Sequence, residues 1–263
     1  MSRFLRALIL GPLLAAAAQA GFAYQPLITD DTGTQGDGGN QLEFSVNQDR
    51  ANSPGIDSRT TGLRTTYTRG LTDTLDVAVS VGHARLHSNL PASEAAGAGN
   101  PAIGAKWRFY ENEASQTSLA LKPEIRLPVS ADKEAAGLGT GRISYGLGLL
   151  LTHETSFGEL HANVANSRDK FYDSDTNPHM TTTRFSLAPV WHLDAAWKLA
   201  LDIGRERQSA AGQRTWGHHG EIGVIYSPHK DLDFAAGILR QTDSAGSHAT
   251  TDSATLGVTW RFR

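Results

Sequence analysis

The chain has 263 residues, with 24 lysines and arginines against 27 aspartates and glutamates, and it contains no cysteine. A formal charge of −3 with no basic stretch argues against a nucleic-acid partner, and the missing cysteines remove disulfide frameworks and thiolate metal sites. Mean hydropathy is −0.33, and no segment after the first twenty residues approaches the ~20 unbroken apolar residues of a membrane helix, which excludes a helical membrane protein.

Residues 1–20 have the parts of a secretory signal peptide. Arg3 and Arg6 make a positive start, residues 8–18 an apolar stretch too short to span a bilayer, and Ala18-Gln19-Ala20 a small-x-small cleavage site. Cleavage there removes two arginines and takes the formal charge from −3 to −5. Residues 21–40 read as an irregular segment, with Pro26, a Thr-Asp-Asp-Thr-Gly run and Gly36, Gly38 and Gly39.

Over residues 41–263 the apolar period is two, as in strands with one apolar face. In chain order the alternating sets are Leu42/Phe44/Val46, Leu63/Thr65/Tyr67, Leu75/Val77/Val79/Val81 and Ile103/Ala105/Trp107/Phe109. They continue as Leu119/Leu121/Pro123/Ile125/Leu127, Ile143/Tyr145/Leu147/Leu149/Leu151, Leu160/Ala162/Val164 and Phe185/Leu187/Pro189/Trp191/Leu193. The last are Trp197/Leu199/Leu201/Ile203, Ile222/Val224/Tyr226, Leu232/Phe234/Ala236/Ile238 and Ala254/Leu256/Val258/Trp260/Phe262. That predicts about twelve antiparallel strands, all-β, closed into a transmembrane barrel; the even number is that of bacterial outer-membrane barrels.

The connections alternate in length. Long ones are expected at 48–58, 85–100, 130–141, 167–180, 209–216 and 242–250, and short ones around Asp73, Asn112, Ser156, Asp194 and 228–231. Short periplasmic turns and long extracellular loops, with both termini periplasmic, generate this order, whereas a soluble sandwich has no reason to sort loops by parity. Aromatic residues fall in two bands. Tyr67, Trp107, Phe109, Trp191, Trp197, Tyr226, Phe234, Trp260 and Phe262 lie at the expected periplasmic ends, and Tyr145, Phe171, Tyr172, Phe185 and Trp216 near the outer ends.

The opposite faces carry Glu43, Arg64, Asp76, Lys106, Arg108, Lys122, Glu124, Arg126, Arg184, Asp202 and Glu221. Slipping a strand by one residue would put such charges into lipid at about 2–4 kcal/mol each near the midplane for Arg or Lys, so the parity is fixed. These residues are the candidates for lining and tuning a lumen, with the Lys122/Glu124/Arg126 ladder and its neighbours Lys106 and Arg108 as the expected constriction. The same faces hold Gly62, Gly82, Gly104, Gly146, Gly148, Gly204, Gly223, Gly237 and Gly257, which leave space or let the sheet curve.

An enzyme is not expected. No histidine is followed two residues later by serine, and no Gly-x-Ser-x-Gly, phosphate loop or His-Glu-x-x-His occurs. Adjacent His218 and His219 would point to opposite faces of a strand and make a poor chelate, so no metal or cofactor is implied.

The segment Pro26-Leu27-Ile28-Thr29-Asp30-Asp31-Thr32-Gly33-Thr34-Gln35-Gly36, followed by Asn40-Gln41-Leu42-Glu43, resembles the opening of a proteobacterial transporter-like outer-membrane family named for a meta-pathway of phenol degradation. The closing strand Gly257-x-Thr259-Trp260-Arg261-Phe262 is similar too, although Arg263 stands after the terminal aromatic residue that the barrel assembly machinery ordinarily takes up. The resemblance implies an outer-membrane channel or transporter for small solutes, aromatic compounds among them. The alternative is a structural or surface-interaction barrel with a filled lumen and working extracellular loops. Expected partners are outer-membrane lipid, a small-molecule solute and the assembly machinery. Residues 26–36, too short and polar to fold alone, are expected either to form a hatch in the periplasmic mouth, with Asp30 and Asp31 paired to Arg64, Arg108 or Arg126, or to hang as a flexible periplasmic tail.

Overall fold

A computed structural model describes residues 25–90, 94–243 and 249–263; the signal-peptide segment lies outside the described residues. The strands are β1 (Asn40–Ser53), β2 (Ile56–Thr72), β3 (Leu75–Ser88), β4 (Ala95–Ala98), β5 (Ala102–Asn112), β6 (Thr117–Arg126), β7 (Ser144–Thr155) and β8 (Gly158–Asp169). They continue with β9 (Met180–His192), β10 (Trp197–Ala210), β11 (Gln213–His229), β12 (Leu232–Asp243) and β13 (Thr250–Phe262), and one helical turn, α1 (Ala131–Ala135), sits between β6 and β7.

Each strand pairs antiparallel with the next along the wall, and β1 pairs with β13 from Asn40↔Phe262 to Asn52↔Thr250, so the sheet closes. Closure through β1 and β13 leaves only the short β4 paired on a single side, which suits a wall that must satisfy its backbone groups within a bilayer. β4 and β5 both pair with β3, over His83–Leu86 and Leu75–Ser80 respectively. They are one wall strand interrupted at 99–101, where Pro101 has no N–H to give a ladder. The wall is therefore twelve-stranded, as the alternation predicts.

The faces follow the predicted parity. Large apolar side chains on the outer positions remain exposed in the isolated chain, Ile238 at 73% and Leu256 at 66%, while inner Glu43, Asp76, Glu124, Arg126, Asp202 and Glu221 are buried. An apolar exterior around a polar interior is what lipid selects. Aromatic pairs crowd the short-turn ends: Trp197 stacks on Tyr226 at 4.5 Å, Trp260 on Phe262 at 4.6 Å and Trp107 on Phe109 at 5.8 Å. Phe171 departs from the expected outer band; it is buried with Met180 and Ala210.

Two of the expected long loops are strand. β1 and β2 run on until Ser53 meets Ile56 across a two-residue turn, and β10 and β11 until Ala210 meets Gln213. Ala211 and Gly212 both take positive φ, +48° and +76°, the geometry of a tight hairpin whose twist matches its strands. Beyond the bilayer both faces of a strand meet water, so the apolar alternation fades although the ladder continues. The short connections fall where the sequence places them, at 73–74, 113–116, 156–157, 193–196 and 230–231.

Candidate functional site

Residues 25–39 lie inside the barrel, across its short-turn half, and touch the inner wall on most of its circumference. Leaving β1, the strip first meets the β2–β3 turn: Gly38 N–H donates to Gly70 O (3.2 Å), Thr34 Oγ1 to Asp73 O (2.8 Å) and Gln35 N–H to the Asp76 carboxylate (3.0 Å). Thr32 then bonds Ser118 and Thr152 on β6 and β7, at 2.5 and 3.1 Å. Thr29 donates through both its N–H and its hydroxyl to Asp202 on β10, at 2.6 and 2.9 Å. Leu27 packs on Ala188, Val190 and Ala200.

The strip's path depends on missing side chains in the wall. A Cβ on Gly223 or Gly237 would stand 2.7 and 2.9 Å from Pro26, and one on Gly257 would collide with Gln25. Three of the inner-face glycines, on β11, β12 and β13, thus leave the room that Gln25 and Pro26 occupy.

Asp30 is the electrostatic anchor. Its carboxylate takes Lys106 Nζ at 3.0 Å and Lys122 Nζ at 2.6 Å, and Lys106 also reaches Asp31 at 3.2 Å. Charged groups in low dielectric need partners at this distance or they are costly to bury. The expected arginine partners are engaged elsewhere. Arg126 bonds Asp169 at 2.8 Å and lies 3.5 Å from Glu124, Arg108 is at the turn rim on Asp73 O and Glu111, and Arg64 reaches Ser80 at 3.5 Å. Lysines win because the strip crosses β5 and β6 at the level of Lys106 and Lys122, two inward positions turn-ward of Arg126. That path is a tertiary fact with no local signal.

Above the strip the wall carries further pairs. Arg184 makes two bonds to Glu206 Oε2, 3.0 and 2.7 Å, while Gln208 and Gln241 donate to its other oxygen. His219 Nε2 sits 3.1 Å from Asp202, whose cross-strand partner is Glu221. His161, inward as the parity requires, is fully buried, 3.1 Å from Glu159. Asp169 falls within the expected 167–180 loop, the sequence does not single out Glu206, and it marks His219 only as half of a poor chelate with His218; none of the three pairings is readable there.

The other end is narrowed by loops. Glu134 of α1 is buried and accepts backbone N–H groups from Gly141 (2.5 Å), Tyr172 (2.8 Å) and Asp173 (3.1 Å), tying the β6–β7 loop to the β8–β9 loop. Asn100, in the break between β4 and β5, donates to Leu127 O and Thr140 O and accepts from Thr140 N–H. Leu138, Gly139 and Thr140 are thereby held over the lumen.

The strip lies between two cavities. One of about 220 Å³, toward the long loops, is lined by Arg64, Arg126, Arg184 and Glu221. The other, about 340 Å³ at the short-turn mouth, is lined by Asp30, Asp31, Asp76 and Lys106. Gln25 and Glu43 line both, so the partition is thinnest there. Among the described residues no group of three or more His, Cys, Asp or Glu could hold a metal ion.

No curated protein matches the chain. Among solved structures, an outer membrane channel from Pseudomonas putida F1 superposes with a TM-score of 0.70 at 16% identity, covering 88% of this chain and 98% of that one. The β domain of the Bordetella autotransporter BrkA gives 0.59 at 13% identity, covering 86% and 100%, and the NanC porin 0.55 at 9%, covering 82% and 98%. At such identities the likeness speaks to the fold, which is that of Gram-negative outer-membrane barrels. Residues 23–262 match the family model described as "Putative MetA-pathway of phenol degradation". With nearly its whole length matched, the chain belongs to that family.

Proposed function

We propose that the chain is an outer-membrane channel for small solutes, aromatic compounds among them, whose lumen is partitioned by residues 25–39. In this reading the short turns and both termini are periplasmic and the long hairpins extracellular. The observation that carries it is the strip's mode of attachment: side-chain pairs and hydrogen bonds to β3, β5, β6, β7 and β10, with backbone pairing to the wall only where Gly38 and Gly39 meet Gly70 on the way into β1. Such contacts can part and re-form without breaking the wall. The polar lining of the two cavities, with charges of both signs, suits water-soluble solutes and sets selectivity through rings of lumen charge.

The same strip favours a second reading, a barrel whose lumen is permanently filled and whose loops do the work. Removing residues 25–36 and recording single-channel conductance in planar bilayers separates the two. The channel reading expects larger and more frequent openings; an unchanged trace, together with no solute entry in liposome swelling, overturns it.

A further inference from the structure

We infer that the outer face of the β10–β11 hairpin binds a multiply phosphorylated, acylated lipid of the outer leaflet, namely lipid A. On this face the apolar belt ends with Ile203 and Ile222, 48% and 61% exposed, and with Phe185, the cross-strand partner of Arg205. The next outward positions are Arg205 and Arg207 on β10 and, after Gly220 and His218, Trp216 and Arg214 on β11. Arg207 faces Trp216 across the ladder, and the guanidinium of Arg205 lies 4.0 Å from the centre of the Trp216 ring, with that of Arg207 at 5.9 Å.

Three arginines around one tryptophan are not neutralised by the protein. Glu206, between Arg205 and Arg207 in sequence, points inward to Arg184, and none of the three has a carboxylate within ion-pair distance among the described residues. Of the other outward arginines at this end, Arg240 is neutralised by Asp252 at 2.6 Å and Arg50 by Asp57 at 3.2 Å, while Arg59, Arg85 and Arg168 stand singly, none beside a second uncompensated arginine on a tryptophan. At their short-turn ends the same two strands turn outward Trp197 and Tyr226, and Lys198 points inward to Glu159. The uncompensated charge is therefore at one membrane interface.

The chemistry of the partner follows. Guanidinium forks match phosphate oxygens in pairs, and a guanidinium stacked on an indole is held ready with less rotamer entropy left to lose. Ile203, Ile222 and Phe185 directly below give acyl chains an apolar wall. A zwitterionic phospholipid would bring its ammonium against three arginines, whereas lipid A brings phosphates and several chains on one headgroup. The assignment to the outer leaflet rests on the orientation proposed above.

The test uses the purified, folded barrel in zwitterionic detergent, following thermal unfolding by the heat-dependent shift in gel mobility. Lipid A is expected to raise the midpoint, and dephosphorylated lipid A and phosphatidylglycerol to do so weakly or not at all. R205A/R207A is expected to need about thirtyfold more lipid A for the same shift, from two arginines at roughly 1 kcal/mol each. R50A is expected to respond as the wild type does. Should R205A/R207A not fold, R214E, at the exposed hairpin end, takes its place with the same expectation. Equal shifts in the wild type and the variant, or with dephosphorylated lipid A or phosphatidylglycerol, overturn the inference. Orientation is read separately, by maleimide labelling of Pro54→Cys on intact cells: labelling only after the outer membrane is permeabilised overturns the orientation, and with it the identity of the lipid.

Discussion

Lys122 closes on Asp30 at 2.6 Å, linking a wall strand to a segment 92 residues earlier in the chain. With Lys106 on the same carboxylate, this contact is the strongest electrostatic tie between the strip and the barrel.

Asp30→Asn keeps the size of the side chain and removes its charge, taking from Lys122 its 2.6 Å ion pair and leaving Lys106 with Asp31. Breaking a buried pair from one side costs about 3–5 kcal/mol, here charged to docking of the strip and not to the wall. Openings in single-channel records are expected to become more frequent, with gel mobility of the folded barrel unchanged. Records matching the wild type would mean that the ion pairs do not hold the strip.

Gly237→Val tests the room made for Pro26. Its Cβ would stand 2.9 Å from the Pro26 side chain and 2.7 Å from Glu221 Oε1, so the strip must move. Thr29, fully buried on Asp202, reports the movement: in a Thr29→Cys background, maleimide labelling is expected to accelerate with Gly237→Val. Gly220→Val is the control, because a Cβ there meets open space.

Charge in the upper lumen sets ion preference. Arg126→Ala leaves Asp169 without its 2.8 Å partner, and the reversal potential in a salt gradient is expected to move toward cation selectivity. Asp169→Asn is expected to move it the other way. Both variants shifting in one direction would indicate a change of shape instead of charge.

Glu134→Gln replaces a carboxylate that collects three backbone N–H groups with an amide offering one oxygen. A buried donor left unmet costs about 1–3 kcal/mol, so the paired loops should open roughly five- to 150-fold more often. Limited trypsin digestion at Arg142 and Lys170 is expected to quicken while the strands stay resistant.

Legibility in the sequence tracked the surroundings of each residue. Between Leu42 and Val46 one face meets lipid and the other does not, so the period of two is written in apolar side chains; from Gln48 to Ser53 polar residues stand on both faces and the same strand leaves no apolar trace. Turn positions were readable because Asp73, Ser156 and Asp194 interrupt apolar runs. The inward parity of Lys106 and Lys122 was readable for the same reason as the strands. That they, and not Arg126, receive Asp30 depends on the height at which an irregular strip crosses the lumen, and that height is set by contacts from Asp76 to Asp202 and by the space beside Gly223 and Gly237.

The seam between β1 and β13 bears on assembly as well as architecture. The strip leads directly into β1, and its far residue Gln25 rests against Gly257 of β13, the strand on which β1 closes. The seam thus serves two ends: β13 closes the wall on β1 and, through the missing side chain of Gly257, makes the room in which the far end of the strip rests. A side chain at that one position would press on the partition and on the last strand to close the permeability barrier alike.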